Sequence, residues 1–369
     1  LGVNLLLSLG ALALAAASLV LVENPIRHHR GLRSRPRRGL AVGAVLTVGT
    51  AVVALLVSLA PSAIRSGATV DDVPVAMAAA AEPDRLLSEL IAKASRTEVL
   101  PANVTPPLAK ARADKPESYA NQCHLNAPAV QAPGPCEYGD PAGTRTVVLF
   151  GDSHAAQWFP TLQELARRHG WRLLSRTKSA CSAADVLQYN TLLKRAYTEC
   201  QSWRRRELAR LRTLAPDMIV VSSSFQSGQL TAEQLNPPPP GGEAEIWRAG
   251  WRRTLRALAA TGAAVSFLVD TPFLRGSPAD CLARHPKRTT TCAEPVAQVL
   301  LNPRIRAAVA AEARAAGAQV IDPTPWLCTA TCPVVLGNLL VYRDANHLTT
   351  GYARMLAPLL YARLPKPTD

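Results

Sequence analysis

The chain is sparing with charge and with aromatic rings. Charged residues make up 18% and aromatic residues 5% of its 369 positions, against 48% hydrophobic. So little charge on so much apolar matter excludes wholesale disorder. The length leaves room for about two domains, and the 30 prolines point to long connections between elements. Walker loops, dinucleotide fingerprints and metal-ligand clusters are missing, which argues against nucleotide or metal chemistry. Acidic residues are also scarce, 27 against 41 basic ones, a formal net charge of +14 that invites a nucleic-acid partner until the arginines are located. Position 1 is leucine rather than methionine, so the chain is expected to be a piece of something longer.

Two stretches lack charge altogether, residues 1–22 and residues 39–64. Each is long enough to cross the hydrocarbon layer, which takes about 20 apolar residues. Between them lie Arg27, His28, His29, Arg30, Arg33, Arg35, Arg37 and Arg38, opposed only by Glu23. A short loop this basic stays in the cytoplasm. The hairpin 1–64 therefore points both ends outward, and everything after it is expected to be extracytoplasmic at a cell membrane. That location assigns much of the basic charge to a membrane surface and removes the case for nucleic acid. A cleaved signal peptide is the alternative for the first stretch, but it lacks a basic n-region and a clean cleavage pattern.

No cysteine precedes position 123, and all eight fall on the outward side. They form neighbouring couples: Cys123 with Cys136, Cys181 with Cys200, Cys281 with Cys292, Cys328 with Cys332. An even number in an oxidising compartment reads as disulfides. Sequential pairing would staple four local loops, although sequence alone leaves the connectivity open.

Residues 65–144 are rich in alanine and proline and read as a linker with a small accessory element. Leu86, Leu87, Leu90 and Ile91 have helical spacing within it. From 145 to 369 the pattern changes to strands at 146–150, 171–174, 218–221, 264–269 and 319–321. Helices are expected at 155–169, 192–214, 243–260, 305–316 and 350–364. Alternation of this kind specifies an α/β domain: a parallel sheet covered by helices on both faces, with right-handed crossovers. Ligands in such sheets sit at the carboxyl ends of the strands.

Gly151-Asp152-Ser153-His154 directly follows the first of those strands. A serine hydroxyl needs a neighbouring base to become a nucleophile. Asp344-x-x-His347, just before the last helix, offers one: the carboxylate meets one imidazole nitrogen and leaves the other for the serine. Either motif alone is weak, since Gly-Asp-Ser is usually a turn and a lone histidine is usually solvated. Their joint placement, at the first strand's end and the last helix's start, favours Ser153, His347 and Asp344 as a triad.

The stretch from 145 to 364 resembles the SGNH (GDSL-type) hydrolase family, with Gly151-Asp152-Ser153-His154 as its first block and Asp344-x-x-His347 as its last. With the apolar spans and Glu23-Asn24-Pro25-Ile26-Arg27, the whole is similar to the carboxyl-terminal part of acyltransferase-3 proteins carrying a fused SGNH domain, the peptidoglycan and lipopolysaccharide O-acetylases. That resemblance implies an SGNH-like parallel sheet preceded by two transmembrane helices. It also implies an upstream multi-span acyltransferase domain and an acyl donor derived from acyl-CoA, with no cofactor in this domain. The acceptor it implies is a cell-envelope polysaccharide or lipid-linked glycan. Cys181, Cys200 and Trp203 also resemble that subgroup's pattern.

The chain departs from the family at its second and third blocks. Ser179-Ala180-Cys181-Ser182 has no oxyanion-hole glycine, and Ser222-Ser223-Ser224-Phe225-Gln226 has no asparagine. Losing one such donor costs about 100- to 1000-fold where it has been removed elsewhere. The Ser153 backbone N–H with Ser224 as substitute is then the expected oxyanion site, with a strand-end turn residue as the alternative for Ser224. Beside it Asp152 is expected to tie down the serine turn by local hydrogen bonds, and His154 to contact an acyl group or acceptor, or else to face solvent. Arg204, Arg205 and Arg206 read as a solvated helix face, 236–242 as a loop at the site's rim, and Asp270-Thr271-Pro272 as a turn, with a place in the pocket lining at the end of the fourth strand as its alternative. The expected activity is O-acyl transfer, most simply of acetyl, to a glycan hydroxyl. An esterase with the same triad and a non-catalytic glycan-binding module are the alternatives.

Overall fold

A computed structural model describes residues 2–28, 36–59, 67–225, 229–231 and 240–366. The chain divides into two units, Leu1–Ala63 and Ile64–Asp369.

In the first unit, α1 (Gly2–Ser18) continues through a wide turn at Leu19–Glu23 into the helical turn Asn24–His28. The Asn24 N–H reaches back five residues to the Leu19 carbonyl. Pro25 follows at once; its ring crowds the carbonyl four residues back and it brings no N–H, which the widened turn accommodates. The second helix, α2, is Pro36–Leu59. Ser8–His28 and Arg37–Leu56, of 21 and 20 residues, are long and apolar enough to cross a membrane. Residues 29–35, which include Arg30, Arg33 and Arg35 of the basic loop, lie outside the described residues.

The second unit is built on seven strands, labelled in chain order: β1 (His124–Leu125), β2 (Glu137–Gly139), β3 (Arg145–Gly151), β4 (Trp171–Lys178), β5 (Met218–Ser222), β6 (Ala264–Leu268) and β7 (Gln319–Ile321). Their order is β1-β4-β3-β5-β6-β7, all parallel, with β2 antiparallel on β4. Register sets Gly151 opposite Thr177 on one side and Ser222 on the other. The strands are apolar on both faces because helices cover both. Val147, Leu149, Met218 and Val220 pack with α6 (Phe159–His169) and with α10 (Thr350–Met355) and α11 (Ala357–Tyr361). Val148, Phe150, Ile219 and Val221 face the other way, toward α7 (Thr198–Leu214), α8 (Gly242–Ala259) and α9 (Pro303–Ala315). Each such side chain contributes about 1.5–3 kcal/mol by leaving water.

Local chemistry explains where the elements depart from expectation. β4 runs on to Lys178 although its second half is polar. Ser175, Thr177 and Lys178 are buried there, and the Lys178 ammonium donates to the carbonyls of Asn126, Ala127 and Ala129. The helix expected at 155–169 is two, the short α5 (Ser153–Ala156) and α6, because Pro160 is suited to a helix's first turn and not its interior. Pro358 likewise separates α10 from α11. Residues 188–196 form a hairpin rather than the start of α7. Arg204, expected in solvent, is buried and donates to Asp185 and to the carbonyls of Ser182 and Val186.

The stretch read as a linker belongs to the same compact unit as the sheet. It supplies α3 (Val73–Ala79) and α4 (Pro83–Ala94), whose Leu87 and Ile91 are buried one turn apart. Asp114 accepts from both the Thr350 N–H and its hydroxyl, capping the start of α10. All four neighbouring cysteine couples are disulfides: Cys123–Cys136, Cys181–Cys200, Cys281–Cys292 and Cys328–Cys332.

Candidate active site

The turn after β3 presents Ser153. Gly151 has φ +144, and a Cβ there would lie 1.9 Å from the Ser222 carbonyl oxygen, so only glycine lets β3 and β5 close up beneath the turn. Asp152 caps α5 by accepting the His154 N–H at 2.8 Å. The same carboxylate accepts the Ser224 N–H at 3.0 Å, which ties the serine turn to the end of β5. Asp152 is therefore a buried structural staple. The Ser224 N–H is committed to this carboxylate.

The Asp344–His347 loop folds onto itself as its spacing suggests. His347 Nδ1 lies 2.9 and 3.0 Å from the two Asp344 oxygens, and Asp344 Oδ1 also accepts the Asn346 and His347 N–H groups. Burial alone would raise the Asp344 carboxyl. The hydrogen bond and charge of His347, the Asn346 N–H and the Arg343 guanidinium instead hold it well below the usual carboxylate range. Burial is the largest influence on His347, joined by the positive charges of His154 and Arg343; against the opposing pull of Asp344 they push it down to about 4. The imidazole is thus neutral near pH 7, with Nδ1 donating to the carboxylate. Among the described residues its Nε2 is buried without a hydrogen-bond partner. A buried acceptor left unpaired costs about 1–3 kcal/mol, and groups so placed are often reactive.

The serine turn and the histidine loop meet. The His154 and His347 rings have centroids 4.8 Å apart. Gln157, one turn after Ser153, accepts the Leu348 N–H at 2.9 Å and donates to Thr271 Oγ1 at 3.1 Å. One side chain thereby joins α5, the histidine loop and the segment after β6. No Ser153–His347 hydrogen bond forms among the described residues.

His154 does not line an open pocket as expected. It is 1% exposed, its Nδ1 lies 2.6 Å from Asp270 Oδ1, and burial of the ring is outweighed by Asp270, so its proton is held above the ordinary imidazole range. Asp270, expected in a turn, is this buried partner. Sequence reasoning missed Gln157 and the pairing of 154 with 270; the one signal for Gln157 is its position one helical turn beyond the serine.

Around the histidine loop, Arg343 is buried and donates to the Tyr119 hydroxyl at 3.2 Å, and its Nε lies 3.5 Å from Asp344. Tyr119 stacks on His124 at 4.2 Å between ring centroids. After β4, Ala180 stands at φ +52, a backbone conformation suited to glycine, at the place where the family resemblance calls for one. The rim loop expected at 236–242 is described only from Pro240 onward.

The family "SGNH domain (fused to AT3 domains)" matches residues 122–362. Among solved structures, the periplasmic domain of a lipopolysaccharide acetyltransferase from Salmonella ser. Paratyphi A is similar at 15% identity, covering 61% of this chain and 85% of that one, with a TM-score of 0.46. A GDSL-like lipase from Bacteroides thetaiotaomicron is similar at 13% identity over 59% and 86% of the two chains, TM-score 0.35. A variant of an acetyl-xylooligosaccharide esterase from Geobacillus Stearmophilus is similar at 10% identity over 61% and 96%, TM-score 0.34. No curated protein matches the chain. A glycine-permitted serine turn that meets an Asp-x-x-His loop at the carboxyl edge of a parallel sheet agrees with the matched span, and the chain belongs to the family of SGNH domains fused to AT3 domains.

Proposed function

We propose that the second unit is an O-acyltransferase, with acetyl as its simplest acyl group, acting on hydroxyls of a cell-envelope glycan outside the cytoplasm. The observation that carries this reading is the Asp344–His347 couple: a neutral imidazole, aligned by a carboxylate, with its free nitrogen buried beside the Ser153 turn. His347 Nε2 takes the Ser153 Oγ proton as Oγ bonds to the acyl carbon, and the protonated imidazole returns that proton to the leaving group. A sugar hydroxyl then gives its proton to Nε2 as its oxygen bonds to the acyl carbon, and the imidazolium passes that proton to Ser153 Oγ as the acyl–Oγ bond breaks, freeing Ser153 and His347. Asp344 keeps the tautomer and stabilises the imidazolium. The Ser153 N–H is the oxyanion donor we assign.

Two apolar helices, each long enough to span, support membrane attachment. The intervening basic residues support an outward-facing second unit. The family's fusion to AT3 domains supports delivery of an acyl group from an acyl-CoA-derived donor by a separate membrane domain. Transfer and hydrolysis share the triad and differ in what resolves the acyl-serine. Mass spectrometry of envelope glycans from cells carrying the intact gene or its Ser153→Ala variant decides the matter. Loss of O-acyl groups in the variant supports transfer; a gain supports hydrolysis, and no change removes Ser153 from the chemistry.

A further inference from the structure

Beside the Asp344–His347 couple sits a second carboxylate–imidazole couple, Asp270 with His154, which acyl transfer as written above does not use. We propose that the His154–Asp270 couple is a positioning device for His347, holding a carboxylate-anchored imidazole beside the ring of the base. This rests on the reading of Ser153, His347 and Asp344 as a triad.

The geometry is that of a clamp. The His154 and Asp270 side chains are 2% and 4% exposed. Asp270 Oδ1 accepts from His154 Nδ1 and, at 2.8 Å, from the Thr271 N–H, while Oδ2 accepts the Phe225 N–H at 3.0 Å. Three donors thus converge on one buried carboxylate, which fixes its place beside the His154 ring. Phe273 stacks against the His154 ring at 5.9 Å, nearly parallel, so one face of the ring is held by a hydrocarbon. The His347 ring lies 4.8 Å away at 50°.

Each charged group around the couple has a partner. Asp152 is tied to the N–H groups of His154 and Ser224. Asp344 is tied to His347, and Arg343 leans on both Asp344 and Tyr119. Arg306 donates to the Asp270 backbone carbonyl at 2.7 Å rather than to its carboxylate. His124 hydrogen-bonds Thr177 and Ser179, and burial pushes it down to about 3, so it stays neutral. The cations bearing on His347 are therefore His154 and Arg343.

A positive neighbour disfavours the protonated base. His154 thus keeps His347 able to accept the serine proton and makes the resulting imidazolium a stronger acid toward the leaving group. Asp270, by its charge and its hydrogen bond, holds the His154 proton above the ordinary imidazole range.

The test uses the full chain in detergent, comparing wild type with His154→Asn, which keeps a donor near Nδ1 and removes the charge, and Asp270→Asn, which leaves the ring and removes the cause of its charge. The pH dependence of Ser153 labelling by a fluorophosphonate reads the acid limb, and imidazole resonances of the histidine-labelled protein read His347 directly. Both variants are expected to move the limb and the His347 titration up by about one pH unit, tenfold in the proton-binding constant. A folded variant whose limb and titration stay at the wild-type pH overturns the proposal. Should His154→Asn fail to fold, Asp270→Asn supplies the same reading; failure of both to fold makes the couple structural and overturns it too. His347→Ala separates the two claims: undiminished labelling there sinks the triad, whereas labelling that needs His347 but ignores His154 sinks only the clamp.

Discussion

Replacing Asp344 with asparagine probes the base without disturbing the fold. The carboxylate accepts the Asn346 and His347 N–H groups through Oδ1, at 3.0 and 2.9 Å, and an amide oxygen can keep both. What the amide cannot keep is the charge, and its NH2 group turns toward Nδ1 in place of the second oxygen, 3.0 Å from that nitrogen. Nδ1 then becomes the acceptor and the proton moves to Nε2, the atom that must receive the serine proton. Where this substitution has been made in a serine triad the rate falls about 10⁴-fold, equivalent to roughly 5.5 kcal/mol of barrier. The expectation for Asp344→Asn is a loss of that order in fluorophosphonate labelling or acetate-ester turnover, with an unchanged circular dichroism spectrum. Activity within tenfold of wild type in a folded variant refutes the assignment of Asp344 as the orienting group.

Two further outcomes follow from the backbone and from titration. Ala180 holds a left-handed φ of +52, which costs an L-residue roughly 1–2 kcal/mol, so Ala180→Gly should raise the melting temperature, measured by calorimetry, while leaving labelling of Ser153 intact. His347 and His124 titrate at about 4 and about 3 in the folded protein against an ordinary 6.5. Groups depressed in this way contribute stability that is present above 6.5 and lost as the pH falls toward 4, because the unfolded chain binds the protons first. His154 acts oppositely: its folded value is raised, so its contribution is present below 6.5 and lost as the pH rises through that folded value. Two depressed histidines against one raised predict a melting temperature lower at pH 4.5 than at pH 7 by roughly 2–4 °C per kcal/mol lost; equal melting at both values would contradict the burial of these rings.

The parts of the fold that announce themselves by period were legible in the sequence. Residues 146–150 and 218–221 are continuous apolar runs, and both are central strands buried on two faces. The serine and the Asp-x-x-His were legible because they stand at element boundaries, where a polar motif directly follows or precedes a regular element. Long-range pairings between polar residues left no such mark. His154 and Asp270 are 116 positions apart, and Gln157 reaches Leu348 across 191, so nothing local distinguishes them from surface residues. The polar half of β4 was hidden for the same reason: Lys178 looks like a strand's end until the three carbonyls that solvate it are in place. The alanine- and proline-rich stretch 65–144 resembled a linker because its periodicity is weak, although Met77, Leu87, Ile91 and Leu100 within it are buried in the core. Asp114, which holds the start of α10, lies within it, outside the family match.

The central claim is that Ser153 carries the acyl group between donor and acceptor. Acid-quenching the full chain during turnover of an acetate ester, followed by peptide mass spectrometry, tests it most directly. An acetylated peptide containing Ser153 is expected in the wild type, and none in Ser153→Ala or His347→Ala. An acetyl group found on another residue, or turnover undiminished in Ser153→Ala, would contradict it.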